Sequence, residues 1–263
     1  MKKIFIDAGH NFSGFGTGAV GNGLKEQDIT FSVAYEVSKI LRASGLNVME
    51  SRPTLQTNLG RDNTSSINAR WQMSNDWGAD YFISIHVNAG GGTGAETLYS
   101  RSHALKLAQA VQDFFSKDMG LRNRRVWLRE DLGVLKYTKC PAIIIELAFI
   151  DSPQANPDID ILRNKQPDMA KSLAKAILGY LNIDYKDEPR PPADDSSSPV
   201  DEPSEPGNNP KGLFNTVEEV PEWAQSTIKK LIDRGFLRGD GQGLDLSLDM
   251  VRLLVINDRA GLY

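Results

Sequence analysis

Apolar residues in the first 184 positions occur either in short, near-continuous runs or in longer segments with a helical period. Near-continuous runs of this length predict buried strands. They cover residues 2–9, 46–52, 81–87, 96–100 and 142–149. Apolar residues at every third or fourth position predict amphipathic helices. These segments cover residues 26–45, 65–79, 102–120 and 166–181. The alternation predicts an α/β fold, with a twisted, mostly parallel sheet flanked by helices.

The pattern stops at residues 185–211, which hold seven of the 13 prolines and seven acidic residues against three basic ones. Such a segment buries too little apolar surface to offset the entropy lost on ordering, and its prolines favour extended chain. We therefore predict a larger domain at residues 1–184, a linker at 185–211 and a small domain at 212–263.

The small domain is predicted to be helical. An amphipathic helix starts at Pro221, has Ile228 and Leu231 on its apolar face and ends near Gly235. A second helix is predicted from Ser247. The aspartates between the two helices lack the spacing of a calcium-binding loop. Six basic residues against eight acidic ones argue against a DNA-binding helix-turn-helix.

Four side chains that suit a divalent cation lie near strand ends or at a helix start. His10 follows the first predicted strand, His86 ends "FISIH", Glu146 interrupts "AIIIELAF", and Glu26 opens the first helix. In α/β sheets, ligands bind beyond the carboxyl ends of the strands. Catalytic zinc takes three nitrogen or oxygen donors and leaves a position for water, so two histidines and one glutamate would hold it. The residues alone leave open which glutamate binds the metal and which transfers protons.

Each residue also has an interpretation without a ligand. His10 after Ala-Gly fits a turn, and Glu26 in a first helical turn is favoured by the helix dipole. An unpaired, buried imidazole at His86 is costly, which favours a ligand there. Glu146 is the most telling of the four, because a carboxylate in a buried apolar strand needs a partner or a raised pKa.

Composition and charge narrow the classes of partner that the protein is expected to bind. The net charge is −4 at pH 7, and no region is basic enough to indicate a nucleic-acid partner. The basic run Arg122, Arg124, Arg125 and Arg129 predicts a solvated face, with contact to an anionic polymer as the alternative. Cys140 is the only cysteine, so neither an internal disulfide nor a thiolate metal cluster can form. We expect its thiol to be a small core group.

The sequence predicts no membrane segment. No apolar stretch approaches the roughly 20 residues that cross a bilayer. The first ten residues also lack the apolar core of a signal peptide. We therefore expect a protein that is made in the cytoplasm without a signal peptide and does not bind membranes.

Several separate motifs resemble one enzyme family. "IFIDAGH", "GLKEQDI", "NDWGADYFISIHVNA", "GAETLYS" and "LGVLKYTKCPAIIIELAFI" follow one another between residue 2 and about residue 182. Together they are similar to the zinc-dependent N-acetylmuramoyl-L-alanine amidases of the amidase-3 type. The sequence departs from the family pattern at Ala148, where glycine is usual, and at Ala8, where proline is frequent. Neither position carries a metal ligand.

The resemblance implies the chemistry of the site. His10, Glu26 and His86 are expected to bind one zinc ion per catalytic domain, and Glu146 is expected to be the catalytic acid/base. The reaction implied is zinc-assisted hydrolysis of the amide bond between N-acetylmuramic acid and L-alanine in peptidoglycan.

The resemblance leaves the substrate-binding residues unidentified. The Gly-rich segments 11–23 and 88–95 are expected to rim the substrate groove, where backbone must approach the ligand closely. The alternative is that both are only surface turns.

The small domain is similar to a single surface-layer-homology repeat, which opens with Val-Pro-x-Trp-Ala at residues 220–224. This likeness implies binding to a cell-wall polymer. Such repeats usually act in groups, which motivates the hypothesis of a homo-oligomer whose copies engage the wall together.

We therefore expect a modular, bacteriolytic peptidoglycan hydrolase that acts at the cell wall after its release, as a phage endolysin. The alternatives are a bacterial autolysin, a mother-cell lytic amidase, a zinc carboxypeptidase and a wall-binding protein without catalytic activity.

Overall fold

The structure is a computed structural model that describes residues 1–153, 157–186, 213–238, 243–244, 246–247, 250–251 and 254–255. The chain divides into two compact units, Met1–Ala193 and Asp194–Tyr263. All but the first two residues of the predicted linker, 185–211, lie outside the described residues, as do turn residues 239–242. The predicted domain boundaries therefore stay predictions.

A six-stranded sheet forms the centre of the first unit. Its strands are β1 Lys3–Ala8, β4 Asn47–Glu50, β5 Tyr81–Asn88, β6 Ala95–Tyr99, β7 Asn123–Leu128 and β8 Ala142–Phe149. They lie in the order β4-β1-β5-β8-β6-β7. The neighbours β4, β1, β5 and β8 are parallel, β6 is antiparallel to β8, and β7 is parallel to β6. A separate hairpin pairs β2 Val20–Gly21 with β3 Leu24–Lys25. The predicted α/β fold class, with a mostly parallel sheet flanked by helices, is confirmed.

Helices cover both faces of this sheet. They are α1 Glu26–Ala43, α2 Asn63–Trp77, α3 Leu105–Asp118, α4 Gly133–Tyr137, α5 Pro157–Asn164 and α6 Gln166–Leu181. Side chains of a strand alternate between faces. Ile6 and Ile85 therefore pack with α1, α3 and α6, whereas Phe5 and Phe82 stack at 5.5 Å on the face that α2 and α4 cover. Of the helices in the described ranges, none is long and apolar enough to cross a bilayer.

The sequence pattern missed β7, α4 and α5. β7 forms one edge of the sheet, and its side chains are mostly exposed, so it lacks a continuous apolar run. The predicted basic run lies in and around this strand, and two of its arginines form ion pairs. Arg124 binds Glu96 at 2.9 Å, and Arg129 binds Asp131 at 2.8 Å.

The second unit contains α7 Glu222–Asp233 and the antiparallel pair β9 Leu213–Phe214 and β10 Leu246–Ser247. α7 covers the segment where the first helix is predicted. Its buried side chains include Ala224, Ile228 and Leu231. The second helix does not start at Ser247, which lies in β10, but residues 250–251 and 254–255 are helical.

Candidate metal centre

Three predicted ligands lie together. His10 Nε2 is 2.9 Å from Glu26 Oε1, and His86 Nδ1 is 3.1 Å from both that oxygen and His10 Nε2. Their donor atoms all lie within 4.8 Å of one another. Two imidazole nitrogens and one carboxylate oxygen form the donor set of many catalytic zinc sites, so the residues fit a divalent cation.

The neighbouring backbone approaches these side chains closely. His10 lies two residues beyond β1, His86 lies in β5, and Glu26 is the first residue of α1. A Cβ added to Gly9 would lie 2.6 Å from the His86 ring, and one added to Gly18 would lie 2.6 Å from Glu26 Cβ. Glycine at these two positions leaves the space that the side chains of His86 and Glu26 occupy.

Hydrogen bonds fix the orientation of His10. Its Nδ1 lies 3.2 Å from the Gly16 carbonyl oxygen. The tautomer that donates from Nδ1 to this oxygen leaves the Nε2 lone pair directed toward the other two donor atoms. The backbone of His10 has a φ of 68°, in the left-handed region that side-chain-bearing residues rarely adopt.

A buried arginine supports this backbone from α2. Arg70 Nη1 donates to Asp7 Oδ1 at 2.6 Å and to the Ala8 carbonyl at 2.7 Å, and its Nη2 donates to the His10 carbonyl at 2.6 Å. Ser84 donates to the other Asp7 oxygen at 2.7 Å. Burial raises the pKa of Asp7, but the Arg70 charge and hydrogen bonds from serines lower it below its ordinary value. Asp7 is therefore an anion that pairs with Arg70, and Arg70 in turn binds the His10 backbone.

Glu26 is held as an anion. Ala19 N–H donates to Oε2 and Val87 N–H donates to Oε1, both at 2.9 Å. Burial alone raises the pKa of the Glu26 carboxyl, but the hydrogen bonds and charges of the His10 and His86 rings hold it well below its ordinary value. A negative donor between two imidazoles favours a cation.

Glu146 lies beside this group, on the next strand. It is the register partner of His86 in the parallel pair β5–β8, so both side chains lie on one face of the sheet. Its buried Oε2 has no hydrogen-bond partner among the described residues. Burial raises the pKa of Glu146 to about 8, with contributions from the Glu26 and Glu96 carboxylates. A cation placed among the three donors would lower that pKa.

A cavity of about 390 Å³ opens beside the histidines, within the size range of small-molecule sites. His10, His86 and Arg70 contribute to its lining. One wall is apolar and consists of Ile67, Leu132, Val134 and Ile144. The cavity therefore places room for an organic ligand beside the two histidines of the donor group.

Arg70, Asp7 and Glu96 were not predicted as site residues. Glu96 accepts hydrogen bonds from Asn88 Nδ2 at 2.7 Å and Arg124 Nε at 2.9 Å, and it is the register partner of Glu146. The sequence signal that could have indicated Asp7 and Glu96 was an acidic residue within a predicted strand. Asp7 lies near the last residue of its strand, and Glu96 is the first residue of its own. Nothing in the local pattern distinguishes Arg70 from the other arginines.

The model of the Amidase_3 family, described as N-acetylmuramoyl-L-alanine amidase, matches residues 4–179. The chain belongs to this family. The predicted resemblance at the family level is therefore confirmed.

Amidase-3 relatives include bacterial and phage proteins. A sporulation-specific N-acetylmuramoyl-L-alanine amidase of Bacillus subtilis is 36% identical over 165 residues, which are 58% of either chain. An endolysin of Bacillus phage SPP1 is 31% identical over 198 residues, 70% of this chain and 68% of that one. The match thus spans little more than half the length of the sporulation-specific relative.

Solved amidase-3 structures share the fold of the first unit. The catalytic domain of CwlV, an N-acetylmuramoyl-L-alanine amidase from Bacillus (Paenibacillus) polymyxa var. colistinus, has a TM-score of 0.62 and 27% identity. The match covers 70% of this chain and all of that domain. The catalytic domain of the CD27L endolysin has a TM-score of 0.59, with 27% identity and 68% of this chain covered.

Proposed function

We propose that this protein is a zinc-dependent N-acetylmuramoyl-L-alanine amidase, which hydrolyses the amide bond between N-acetylmuramic acid and L-alanine in peptidoglycan. The observation that carries the proposal is the convergence of His10, Glu26 and His86 beside the buried carboxyl of Glu146. The family match supports the choice of substrate.

His10, Glu26 and His86 would hold one zinc ion per catalytic domain. When bound, zinc supplies Lewis acidity that polarises a carbonyl and lowers the pKa of water from 15.7 toward about 7. The protein contributes the geometry: Gly16 orients the His10 ring, and the Ala19 and Val87 amides orient the Glu26 carboxylate.

Glu146 is the proposed acid/base. Its unpartnered Oε2 can accept a proton from the attacking water and then donate it to the leaving nitrogen of L-alanine. Burial and the carboxylates of Glu26 and Glu96 strengthen its hold on a proton, which suits the donating half of this cycle. The apolar cavity wall would exclude water from a substrate bound against it.

Replacing Glu146 with glutamine tests this assignment. Glu146→Gln keeps the three donor atoms, so we expect it to bind zinc like the wild type. Turnover should fall by about 10²–10⁴-fold, because proton transfer is lost. Metal analysis measures the first effect, and the new L-alanine amino termini in digested peptidoglycan measure the second.

Glu36→Gln on α1 is the matched control, because it removes a half-buried carboxylate that pairs with Lys39 at 3.3 Å and lies outside the donor group. Wild-type turnover by Glu146→Gln would reject the acid/base role, and full activity of metal-free protein would reject the zinc site. If digestion released termini other than those of L-alanine, the enzyme would be a peptidase such as a carboxypeptidase.

We also propose that the enzyme acts at the cell wall as an endolysin. Its likeness to the endolysin of Bacillus phage SPP1 supports this role, and its likeness to a sporulation-specific amidase supports the alternative of a bacterial lytic enzyme. Production inside bacteria with an intact membrane should leave the cells whole, and permeabilising the membrane should lyse them. Lysis without permeabilisation would favour a secreted autolysin.

The second unit is proposed to bind a cell-wall polymer as a surface-layer-homology-like module, in a protein that forms homo-oligomers. The support is the Val-Pro-x-Trp-Ala opening at residues 220–224 and an amphipathic α7 with a buried apolar face. The Trp223 side chain and most residues after 238 lie outside the described part. Sedimentation with purified walls tests polymer binding, and light scattering tests self-association. A monomeric mass by light scattering would reject the proposed homo-oligomer.

A further inference from the structure

α2 buries polar side chains and leaves apolar ones outside. Its buried side chains are Ser66, Arg70 and Ser74, whereas Ile67 is 42% exposed and Trp71 is half-buried. The apolar contacts of α2 with the core come from its last turns. A helix on a sheet normally turns its apolar stripe toward the core. Ile67 and Trp71 instead pack beside α4, where Ile67 meets Gly133 and Trp71 meets Tyr137, and each keeps part of its surface exposed.

These two residues belong to a continuous stripe. Asn63, Ile67, Trp71 and Asn75 are spaced four residues apart, so they follow one another along one face of α2. Asn63 and Ile67 line the cavity beside the histidines. The stripe thus starts in the candidate active site and continues along the surface for about 18 Å.

An aromatic pair lies on this stripe. The rings of Trp71 and Tyr137 have their centres 5.5 Å apart with 43° between their planes, and Tyr137 is 49% exposed. Hydrogen bonds hold both residues: Trp71 Nε1 donates to Asn68 Oδ1, and Asn75 Nδ2 donates to the Tyr137 carbonyl, each at 3.0 Å. We call Ile67, Trp71 and Tyr137 the aromatic platform.

The chemistry around the platform suits a neutral ligand rich in hydroxyl and amide groups. Of the residues of α2, only Arg70 and Asp76 are charged, and Arg70 is buried. The others include four side-chain amides, which can both donate and accept hydrogen bonds. Of the described residues, Lys136 alone places a cation over a platform ring, 5.5 Å from the centre of the Tyr137 ring. A polyanion would instead require a cluster of cations.

Sugars of the wall have this chemistry. A pyranose ring presents an apolar C–H face that packs on an aromatic ring, and its hydroxyl and N-acetyl groups form hydrogen bonds with amides. We propose that the aromatic platform binds a sugar ring of the glycan strand that carries the scissile amide. The inference rests on the proposed function, because the ligand is the glycan of that substrate. Binding at the platform would hold the glycan while the amide lies beside His10 and His86.

Binding of a β-1,4-linked N-acetylglucosamine tetramer to the full chain tests the proposal. Trp71→Ala and Tyr137→Leu should each weaken binding about tenfold, the loss expected for one aromatic contact. Trp127→Ala is the matched control, because Trp127 is 52% exposed on β7 and lies outside the platform. Its affinity should equal that of the wild type. Tyr137 is exposed, so Tyr137→Leu should keep the fold, which a thermal melt checks.

Kinetics on peptidoglycan give a second readout. Loss of glycan binding should raise KM for wall fragments about tenfold and leave kcat unchanged. Equal tetramer affinity of all three variants and the wild type, or an equal loss in Trp127→Ala, would overturn the proposal. The tetramer has no peptide, so its binding does not depend on the amidase reaction. Failure of the proposed function would instead appear as wild-type protein that releases no L-alanine amino termini.

Discussion

At the scale of single residues, the carbonyls around His10 show how the site is held. Arg70 binds the carbonyls of Ala8 and His10, while Arg52 Nη1 binds that of Gly9 at 3.1 Å. A residue in the left-handed region carries about 1–3 kcal/mol of strain, so it persists only where its surroundings fix it. Two buried guanidinium groups on three consecutive carbonyls provide that restraint.

Replacing Arg70 should therefore weaken both the fold and the metal site. Arg70→Met leaves Asp7 buried without its cation, which costs about 3–5 kcal/mol of the free energy of unfolding. Zinc affinity should fall about 10–100-fold, as for other losses in the shell around metal ligands. Urea denaturation and competition with a chelator measure the two effects.

Lys39→Met is the control for this change, because Lys39 and Glu36 form a partly exposed pair on α1 that should contribute little. If Arg70→Met does not fold, Arg70→Lys keeps the charge but loses the paired contacts. Unchanged zinc affinity in a folded Arg70 variant would show that His10 does not need this support.

The raised pKa of Glu146 predicts a pH effect on stability. In metal-free protein this carboxyl has a pKa of about 8, against 4.5 as its ordinary value. Below pH 4.5 the carboxyl is protonated in both the folded and the unfolded chain, and its favourable contribution to the free energy of unfolding is complete. This contribution is lost as the pH rises to 8, because the unfolded chain releases the proton at lower pH than the folded one. Glu146→Gln does not titrate.

Chelator-treated Glu146→Gln should therefore gain stability relative to the wild type across that interval, by roughly 2–5 kcal/mol. Urea unfolding at pH 4.5, 6 and 8 measures the difference. A difference independent of pH would mean that the buried carboxyl keeps an ordinary pKa.

At the scale of elements, the hairpin β2–β3 and α1 meet at Glu26. The loop before the hairpin passes so near α1 that a Cβ on Gly18 would lie 2.6–2.9 Å from Glu26 Cβ, Cγ and Oε2. The same loop supplies the Ala19 amide that orients the carboxylate. The position of this proposed metal ligand therefore depends on close packing of the loop as well as on α1.

Gly18→Ala should displace Glu26 and lower zinc affinity at least about tenfold. Gly179→Ala in α6 is the control, because a Cβ there meets nothing within 4 Å. The control should keep zinc affinity and gain about 0.5–1 kcal/mol, since alanine favours the helix. Isothermal titration of zinc into both variants compares them, and equal affinities would contradict the packing argument.

At the scale of the whole molecule, the first unit has its own core. Its sheet, its six helices and the three donor residues all lie within residues 1–186. We expect residues 1–186 alone to unfold at the same temperature as this unit in the full chain and to cleave soluble muramyl peptides equally fast. Binding to whole walls should fall, because the proposed wall-binding unit is removed.

Calorimetry, turnover of a muramyl dipeptide and sedimentation with walls measure these three properties. Undiminished wall binding by residues 1–186 would remove the proposed role of the second unit. Failure of this fragment to fold would show that the boundary inferred from the proline-rich segment is misplaced.

Five strands of the sheet were predictable, because each carries apolar residues that pack in the core. Edge strand β7 was not, since its exposed arginines follow no apolar period. α4, of five residues, is too short for a helical period to show. His10, His86 and Glu146 stood out because polar groups near the ends of apolar strands need a partner. Arg70 lies within a predicted helix, and no sequence period indicates the carbonyls that it contacts.

The sequence by itself determined the fold class and the family motifs, and it indicated four candidate metal and acid/base residues. These features depend on the local pattern of apolar residues and on which residue types follow an apolar strand. Because such strands must be buried, the pattern is compatible with few fold classes. Only the tertiary structure decided that Arg70 and Arg52 hold the His10 segment, that Glu96 lies next to Glu146, and that Trp71 faces outward beside the cavity. Those contacts join residues more than 20 positions apart, and their geometry follows from strand order and helix packing, which the local sequence does not contain.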